Sequence, residues 1–440
     1  MSVEQDRRLF LKAGATMLAT SAMMDRGGTS PARAAQPESP AGPVSPSETV
    51  RVAVMGVNGR GLDLIKGFMA APGAEVVAIC DVDSRAADRA ADVVAKGQNR
   101  PATVFGDIRR MLEDPSIDAL VVAAPNHWHA PATILGCAAG KHVYVEKPCS
   151  QTAEEGELAV QAARKHDRVV QMGSQRRSRP AVIEGIEQLH AGKIGQVLYA
   201  RTWYNNRRES IGVGTQVDVP EWLDWDLWQG PAPRRPFVDN VVHYNWHWHW
   251  HWGGGELANN GIHGLDVARW GMQVTFPTRV VAGGGKYRYQ DDQTTPDTMM
   301  VTYDFPEGKT ITWEGLSWSS LGPRDSGFGV SFHGTEGSMV ILDAGYVLYD
   351  MRNRELETKT GPGGDADHLA DFLACIRSGS RPRADIEEAH RSTLLCHLGN
   401  IAYRTESVLK TDPANGHILA NPEAEQLWSR EYDQEWQPKV

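Results

Sequence analysis

The chain has 440 residues, 41% of them hydrophobic, with five cysteines and a formal net charge of −10 at pH 7. That length supports two domains with apolar cores, and the acidic balance argues against nucleic acid or an anionic membrane as a partner. An odd number of cysteines (80, 137, 149, 375 and 396) without paired spacing reads as buried thiols and excludes a disulfide framework.

Near the N-terminus, Asp6-Arg7-Arg8-Leu9-Phe10-Leu11-Lys12 precedes a mildly apolar run over 13–24, the pattern of a twin-arginine export signal. The run is too short to span a bilayer comfortably, and Ala32-Arg33-Ala34 offers a small-x-small cleavage site. Residues 1–34 are read as this signal and 35–48 as a Pro-, Ser- and Ala-rich linker. The expected location is periplasmic or otherwise exported. Twin-arginine export carries folded proteins, often with cofactor inside, so a nucleotide enzyme sent this way must regenerate its cofactor in place.

The first folded unit opens with a β-branched strand, 50–55, that ends in Gly56-Val57-Asn58-Gly59-Arg60-Gly61. Helical apolar spacing follows over 62–69, then a second strand over 75–80 capped by Asp81. Strand, glycine turn, helix and an acid about 20 residues on form a dinucleotide fingerprint. Gly56, Asn58, Gly59, Arg60 and Gly61 are expected at the pyrophosphate, where a helix N-terminus offers free N–H groups. Asn58 stands where the second glycine would be, and Asn tolerates positive φ better than most residues. Asp81 would accept hydrogen bonds from a ribose diol and repel a 2′-phosphate, which favours NAD over NADP.

Strands near 102–105, 119–124, 142–146 and 168–172 alternate with helices near 107–112, 129–139 and 152–165. The fold class is α/β: a Rossmann domain over 49–173 with a parallel sheet covered on both faces. A helix at 181–191 leads to a strand at 196–204, and period-two segments at 278–282, 299–303, 310–314 and 329–333 predict a large open, mostly antiparallel sheet. This second α/β domain, 174–365, is expected to bind substrate and mediate oligomers. Residues 366–440 read as C-terminal helices and a polar tail.

Four constellations carry candidate chemistry. Glu146-Lys147-Pro148 lies at a strand's carboxyl end, where open α/β sheets bind ligands; Lys147 either handles a substrate hydroxyl proton or is an ordinary turn lysine. Pro125-Asn126-His127-Trp128-His129 follows another strand end on the same rim, with Asn126 and His127 able to touch cofactor or substrate and His129 equally a helix-start residue. Gly253-Gly254-Gly255 opens a helix in which Asn259, His263 and Asp266 share a face; His263 is an acid–base candidate or a satisfied core histidine. Gln175-Arg176-Arg177 and Arg207-Arg208 either reach the ligand or form surface ion pairs.

The run His247-Trp248-His249-Trp250-His251-Trp252, if extended, puts three His on one face and three Trp on the other. It reads as an aromatic wall for a sugar, with Trp250 and Trp252 as substrate residues and Trp222, Trp225 and Trp228 nearby. Zinc ligation and plain packing are the alternatives. No metal is assigned, because no second-shell acid is evident beside the imidazoles.

In this order, the glycine turn, Asp81, Pro125 to His129, Glu146-Lys147-Pro148 and the glycine-rich helix with His263 resemble the glucose–fructose oxidoreductase/inositol dehydrogenase (Gfo/Idh/MocA) family over about 50–404. The resemblance implies NAD(P)-linked hydride transfer on a sugar, cyclitol or derivative, and a homo-oligomer (dimer or tetramer). By analogy Lys147 and His263 are catalytic with Asn259 beside them. Gly56, Asn58, Gly59, Arg60, Gly61, Asp81, Pro125, Asn126, His129, Glu146 and Lys147 hold the cofactor, and His127, Arg176, Trp250, Trp252, Asn259 and His263 meet substrate. Many members carry Asp where this chain has Asn259, so a lower His263 pKa and an altered proton relay are expected, with Asp266 or Glu256 as substitute carboxylates. A redox-neutral cycle through a keto-sugar, cleaving a glycoside, is the alternative activity; a nucleotide-dependent binding protein without turnover is the third.

Overall fold

The computed structural model describes residues 48–440; the predicted export signal and all but the last residue of the linker lie outside the described residues. Six strands, β1 (Val50–Met55), β2 (Ala74–Cys80), β3 (Thr103–Phe105), β4 (Ala119–Val122), β5 (His142–Val145) and β6 (Val170–Met172), form one sheet in the order 3-2-1-4-5-6. Every neighbouring pair is parallel. All four residues of β4 are buried, as expected for a strand covered on both faces. Helices α1 (Arg60–Ala70), α2 (Ser84–Gln98), α3 (Ile108–Leu112), α4 (Asn126–Ala138) and α5 (Ala153–Lys165) make the crossovers. The strand order reverses between β1 and β4, which opens a crevice at their carboxyl ends.

Helix α4 begins at Asn126, three residues before the predicted start, with Pro125 as an N-cap that contributes no side-chain hydrogen bond. Its first residues are buried, so packing sets this boundary where a polar cap would otherwise mark it. All five cysteines are buried and free.

The second sheet has nine strands. After α6 (Pro180–His190), β7 (Val197–Asn205) lies at its centre. A segment with α7 (Trp225–Gln229) and a π turn at Leu257–Gly261 leads to α8 (Ile262–Met272). Then come β8 (Arg279–Gly285), β9 (Thr298–Phe305), β10 (Lys309–Leu316), β11 (Phe328–Gly334), β12 (Gly337–Leu342), β13 (Gly345–Asp350) and β14 (Glu355–Thr360). The order is 14-13-12-11-7-10-9-8, closed by the short β15 (Leu409–Lys410), and only β7–β10 is parallel. Burial alternates along β9, β10 and β12, so one face is covered; α8 packs Gly264 against Thr202 of β7 there.

Two C-terminal helices complete earlier cores. α9 (Asp365–Ser378) adds Leu369, Phe372 and Leu373 to the cluster containing Phe68 and Tyr144, with the Phe372 ring 5.9 Å from Tyr144 and 6.3 Å from Phe68. α10 (Ile386–Arg404) is buried over most of its length. Among the described residues, no helix is long and apolar enough to cross a membrane.

Candidate active site

A cavity of about 610 Å³ occupies the crevice and extends under the segment between β7 and α8. Its first wall is the glycine turn. Gly56 has φ +80°, and a Cβ there would stand 2.6 Å from the Ala124 nitrogen, so only glycine fits beneath β4. Gly61 is off the wall: a Cβ would overlap the Gly56 carbonyl oxygen, so this glycine serves close packing of α1 on the turn. Gly59 differs from both. It N-caps α1 without a side-chain hydrogen bond, and a Cβ there would meet nothing within 4 Å. Open space thus faces an uncapped helix N-terminus, which is what a dinucleotide pyrophosphate requires.

Asp81 lines the same wall. Its carboxylate accepts from the Val57 N–H at 2.6 Å and the Asp83 N–H at 2.9 Å, which fixes its orientation, while burial raises its pKa. Each oxygen retains a lone pair for a ribose hydroxyl. Asn58, Arg60, Pro125, Asn126, His129, Glu146 and Lys147 also line the cavity. Arg60 is committed to protein partners, donating to Glu146 at 2.9 Å and Asp365 at 2.8 Å. The His129 ring nitrogens lie 2.6 Å from the Pro148 carbonyl oxygen and 2.7 Å from that of Ala124, tying the loop after β5 to the end of β4.

Lys147 sits where the two sheets' ligands meet. Its ammonium donates to the Asn259 carbonyl at 2.8 Å and to Asn259 Oδ1 at 2.9 Å. Burial lowers its pKa, with Glu146 and Glu256 opposing. Asn259 occupies the π turn, whose wider winding presents both its carbonyl and its side chain to the lysine. Among the described residues no carboxylate approaches the Lys147 amine as closely as Asn259 does, so the amine is held without being locked as an ammonium.

His263 is half-buried and is not on the cavity wall. Burial, then the positive Arg176 and Lys147, push its pKa well below the usual value, so the ring is neutral, and Nδ1 has no partner among the described residues. Neither predicted substitute carboxylate serves it. Asp266 is taken by Arg177, in a buried pair at 2.8 Å, and by the Ser392 hydroxyl. Glu256 accepts from Arg208 at 2.7 Å.

The second wall consists of side chains from β7 and the segment before α8: Tyr204, Arg208, Trp228, Tyr244, Trp246 and His247. Trp225 backs Trp228 in a stack, with ring centroids 4.7 Å apart. His243 Nε2 donates to the Asp83 carboxylate at 2.8 Å, and the Ser84 N–H donates to the Trp222 carbonyl, so this segment is anchored to α2.

Besides His263, four predicted substrate residues fall elsewhere. His127 is fully buried, its Nε2 2.9 Å from the Trp228 carbonyl oxygen, and it supports the wall from behind. Arg176 lies over Phe328 and pairs with Asp343. The His/Trp run is not extended: a 3₁₀ turn at Asn245–Trp248 breaks the expected alternation. Trp252 is packed among Trp225 and Trp228, and Trp250 faces a different cavity. Tyr204, Asn206, Tyr244, Trp246 and Asn260 were missed by sequence reasoning, and Arg208 was left ambiguous. Position after the end of β7 was the one available signal, for Asn206 and Arg208.

Residues 50–174 match the model of the Gfo/Idh/MocA oxidoreductase family with an NAD-binding Rossmann fold, and residues 200–438 match its C-terminal alpha/beta domain. The chain belongs to this oxidoreductase family, whose first domain is an NAD-binding Rossmann fold. A glycosyl hydrolase family 109 protein of Saccharopolyspora erythraea is 32% identical over 206 residues, covering 45% of each chain. Another with that name from a Shewanella species is 38% identical over 161 residues, covering 34% of this chain and 35% of the relative. The matched region thus spans less than half the length of these curated relatives. Among solved structures, levoglucosan dehydrogenase with NADH and levoglucosan aligns with a TM-score of 0.65 at 20% identity, over 82% of this chain and 99% of that one. Aldose–aldose oxidoreductase from Caulobacter crescentus gives 0.63 at 19% identity with the same coverage, and these likenesses show the fold.

Proposed function

We propose that the protein is an exported enzyme that binds NAD in preference to NADP and acts on a secondary hydroxyl of a sugar, cyclitol or glycoside. One observation carries this reading: the Lys147 amine, set by two oxygens of Asn259, faces the junction of a backbone-built nucleotide wall and an aromatic wall. When bound, NAD supplies hydride acceptance and return. Lys147 takes the hydroxyl proton as the C–H bond is broken, and burial, which lowers its pKa, favours the neutral amine that this step needs. Asn259 holds the amine in place. His263, held neutral and with Nδ1 unpartnered, is the second candidate group and acts as a neutral hydrogen-bonding group, not as a store for the proton. Trp228 and Tyr244 offer faces for the pyranose C–H surface. Asp81 supports NAD, because a carboxylate opposes a 2′-phosphate.

A second reading is favoured by the relatives named as glycosyl hydrolases. In it the sugar is oxidised transiently, the neighbouring C–H becomes acidic, the glycosidic bond is eliminated with a proton passing to the leaving oxygen, water adds across the resulting double bond, and the hydride returns. Purified full-length protein, loaded with NAD and mixed with aldoses, cyclitols and glycosides, separates the two. A lasting rise at the reduced-nicotinamide band supports net oxidation. Glycoside cleavage without that rise supports the redox-neutral cycle. Absence of both, with Lys147→Ala behaving as wild type, defeats each.

A further inference from the structure

A second cavity, of about 300 Å³, lies between the loop after β5, the glycine-rich segment, α10 and the C-terminal tail. Trp250 and Arg404 form part of its wall, with the guanidinium 5.2 Å from the indole centroid. The Arg404 side chain has no hydrogen bond or ion pair among the described residues; it is exposed to solvent, and its contact is with the Trp250 ring. An unpaired guanidinium on a cavity wall is free to accept a carboxylate in a bidentate pair. Three further wall residues leave buried polar atoms without partners: Gln151 Oε1, Asn400 Oδ1 and Arg430 Nη1.

These groups are complementary to one chemistry. Arg404 and Arg430 Nη1 are donors, Gln151 and Asn400 are acceptors, and Trp250 is a flat apolar surface. Arg430 is already neutralised by the buried Glu155 at 2.6 Å, and Glu431, also on the wall, is exposed. Arg404 therefore supplies the unpaired guanidinium of the wall. The volume admits one sugar ring. We propose that this cavity is a second saccharide site, separate from the nucleotide cavity, which takes a single acidic pyranose with its carboxylate on Arg404 and its ring against Trp250.

The site is tied to the catalytic loop by the chain itself. Gln151 follows Lys147 by four residues, and its Nε2 donates to the His251 carbonyl at 3.0 Å, next to Trp250. The proposal stands whether or not the nucleotide cavity acts on sugars.

The test is calorimetric titration of full-length, NADH-saturated protein with D-glucuronate and, separately, D-glucose. We expect saturable glucuronate binding, at least about tenfold tighter than glucose, lost in Trp250→Ala and reduced to the glucose level in Arg404→Met. NADH binding is expected to be unchanged in both variants. Trp250→Phe and Arg404→Lys, which preserve packing, replace them if either misfolds, and each should weaken glucuronate several-fold. No saturable binding, equal binding of the two sugars, or glucuronate binding that persists unchanged in the variants overturns the assignment.

Discussion

The two walls of the main cavity are built on different principles. The nucleotide wall is mostly backbone: a left-handed glycine, an uncapped helix start and a carboxylate already oriented by two N–H groups. The opposite wall is mostly side chains, brought from β7 and from a long segment whose aromatic residues pack on one another. A backbone wall tolerates little change in sequence and specifies one ligand class. A side-chain wall is free to vary, and there the fold leaves substrate choice open.

Five substitutions, one of them read as a pH profile, can break or sharpen that contrast. Lys147→Met, at the junction, should lower turnover by about 100-fold or more while NADH titration stays near wild type; comparable turnover would remove Lys147 from the chemistry. Gly56→Ala forces a side chain into φ +80° and against Ala124. Chemical denaturation should show a loss of about 1–3 kcal/mol, with nucleotide binding lost in parallel. Asp81→Asn keeps the shape but removes the charge, so NAD should weaken by roughly tenfold and the NAD-over-NADP preference should narrow.

The pH profile follows from burial. The Lys147 amine titrates below 10.5, so the rate limb that needs it deprotonated rises on the acid side of an ordinary lysine. Asn259→Asp places a carboxylate where an amide oxygen now lies 2.9 Å away, favours the ammonium, and should move that limb alkaline by about one pH unit or more. A limb that stays put would mean another group controls it. Smallest is Tyr244→Phe on the side-chain wall, which loses one hydrogen bond from Arg208 and should raise KM a few-fold, about 0.5–1.5 kcal/mol, with kcat little changed.

What sequence made legible follows the same division. The strand–turn–helix–acid spacing located Gly56, Asn58, Gly59 and Asp81 on the cavity because backbone geometry repeats with local pattern. Lys147 and Asn126 were reachable for the same reason, each following a strand end. His127 and Trp252 were misplaced because proximity in sequence to the rim does not say which way a side chain turns. The His/Trp run failed on conformation: alternation has meaning only in an extended chain, and Asn245–Trp248 is a 3₁₀ turn. Asp266 shares the predicted helix face with His263, yet a buried arginine from after β6 claims it, a long-range match that no local spacing encodes. The packing of α9 into the first domain's core was likewise invisible, since its apolar stripe names no partner.

The π turn at Leu257–Gly261 gives length a role that residue identity does not have. Downstream, Asp266 is pinned by Arg177, so losing one codon within the turn would leave α8 seated and wind the preceding glycine-rich segment round by about 100°. Deletions here should therefore be far more damaging than point changes, and the spacing between Gly255 and His263 is itself a heritable part of the proposed site.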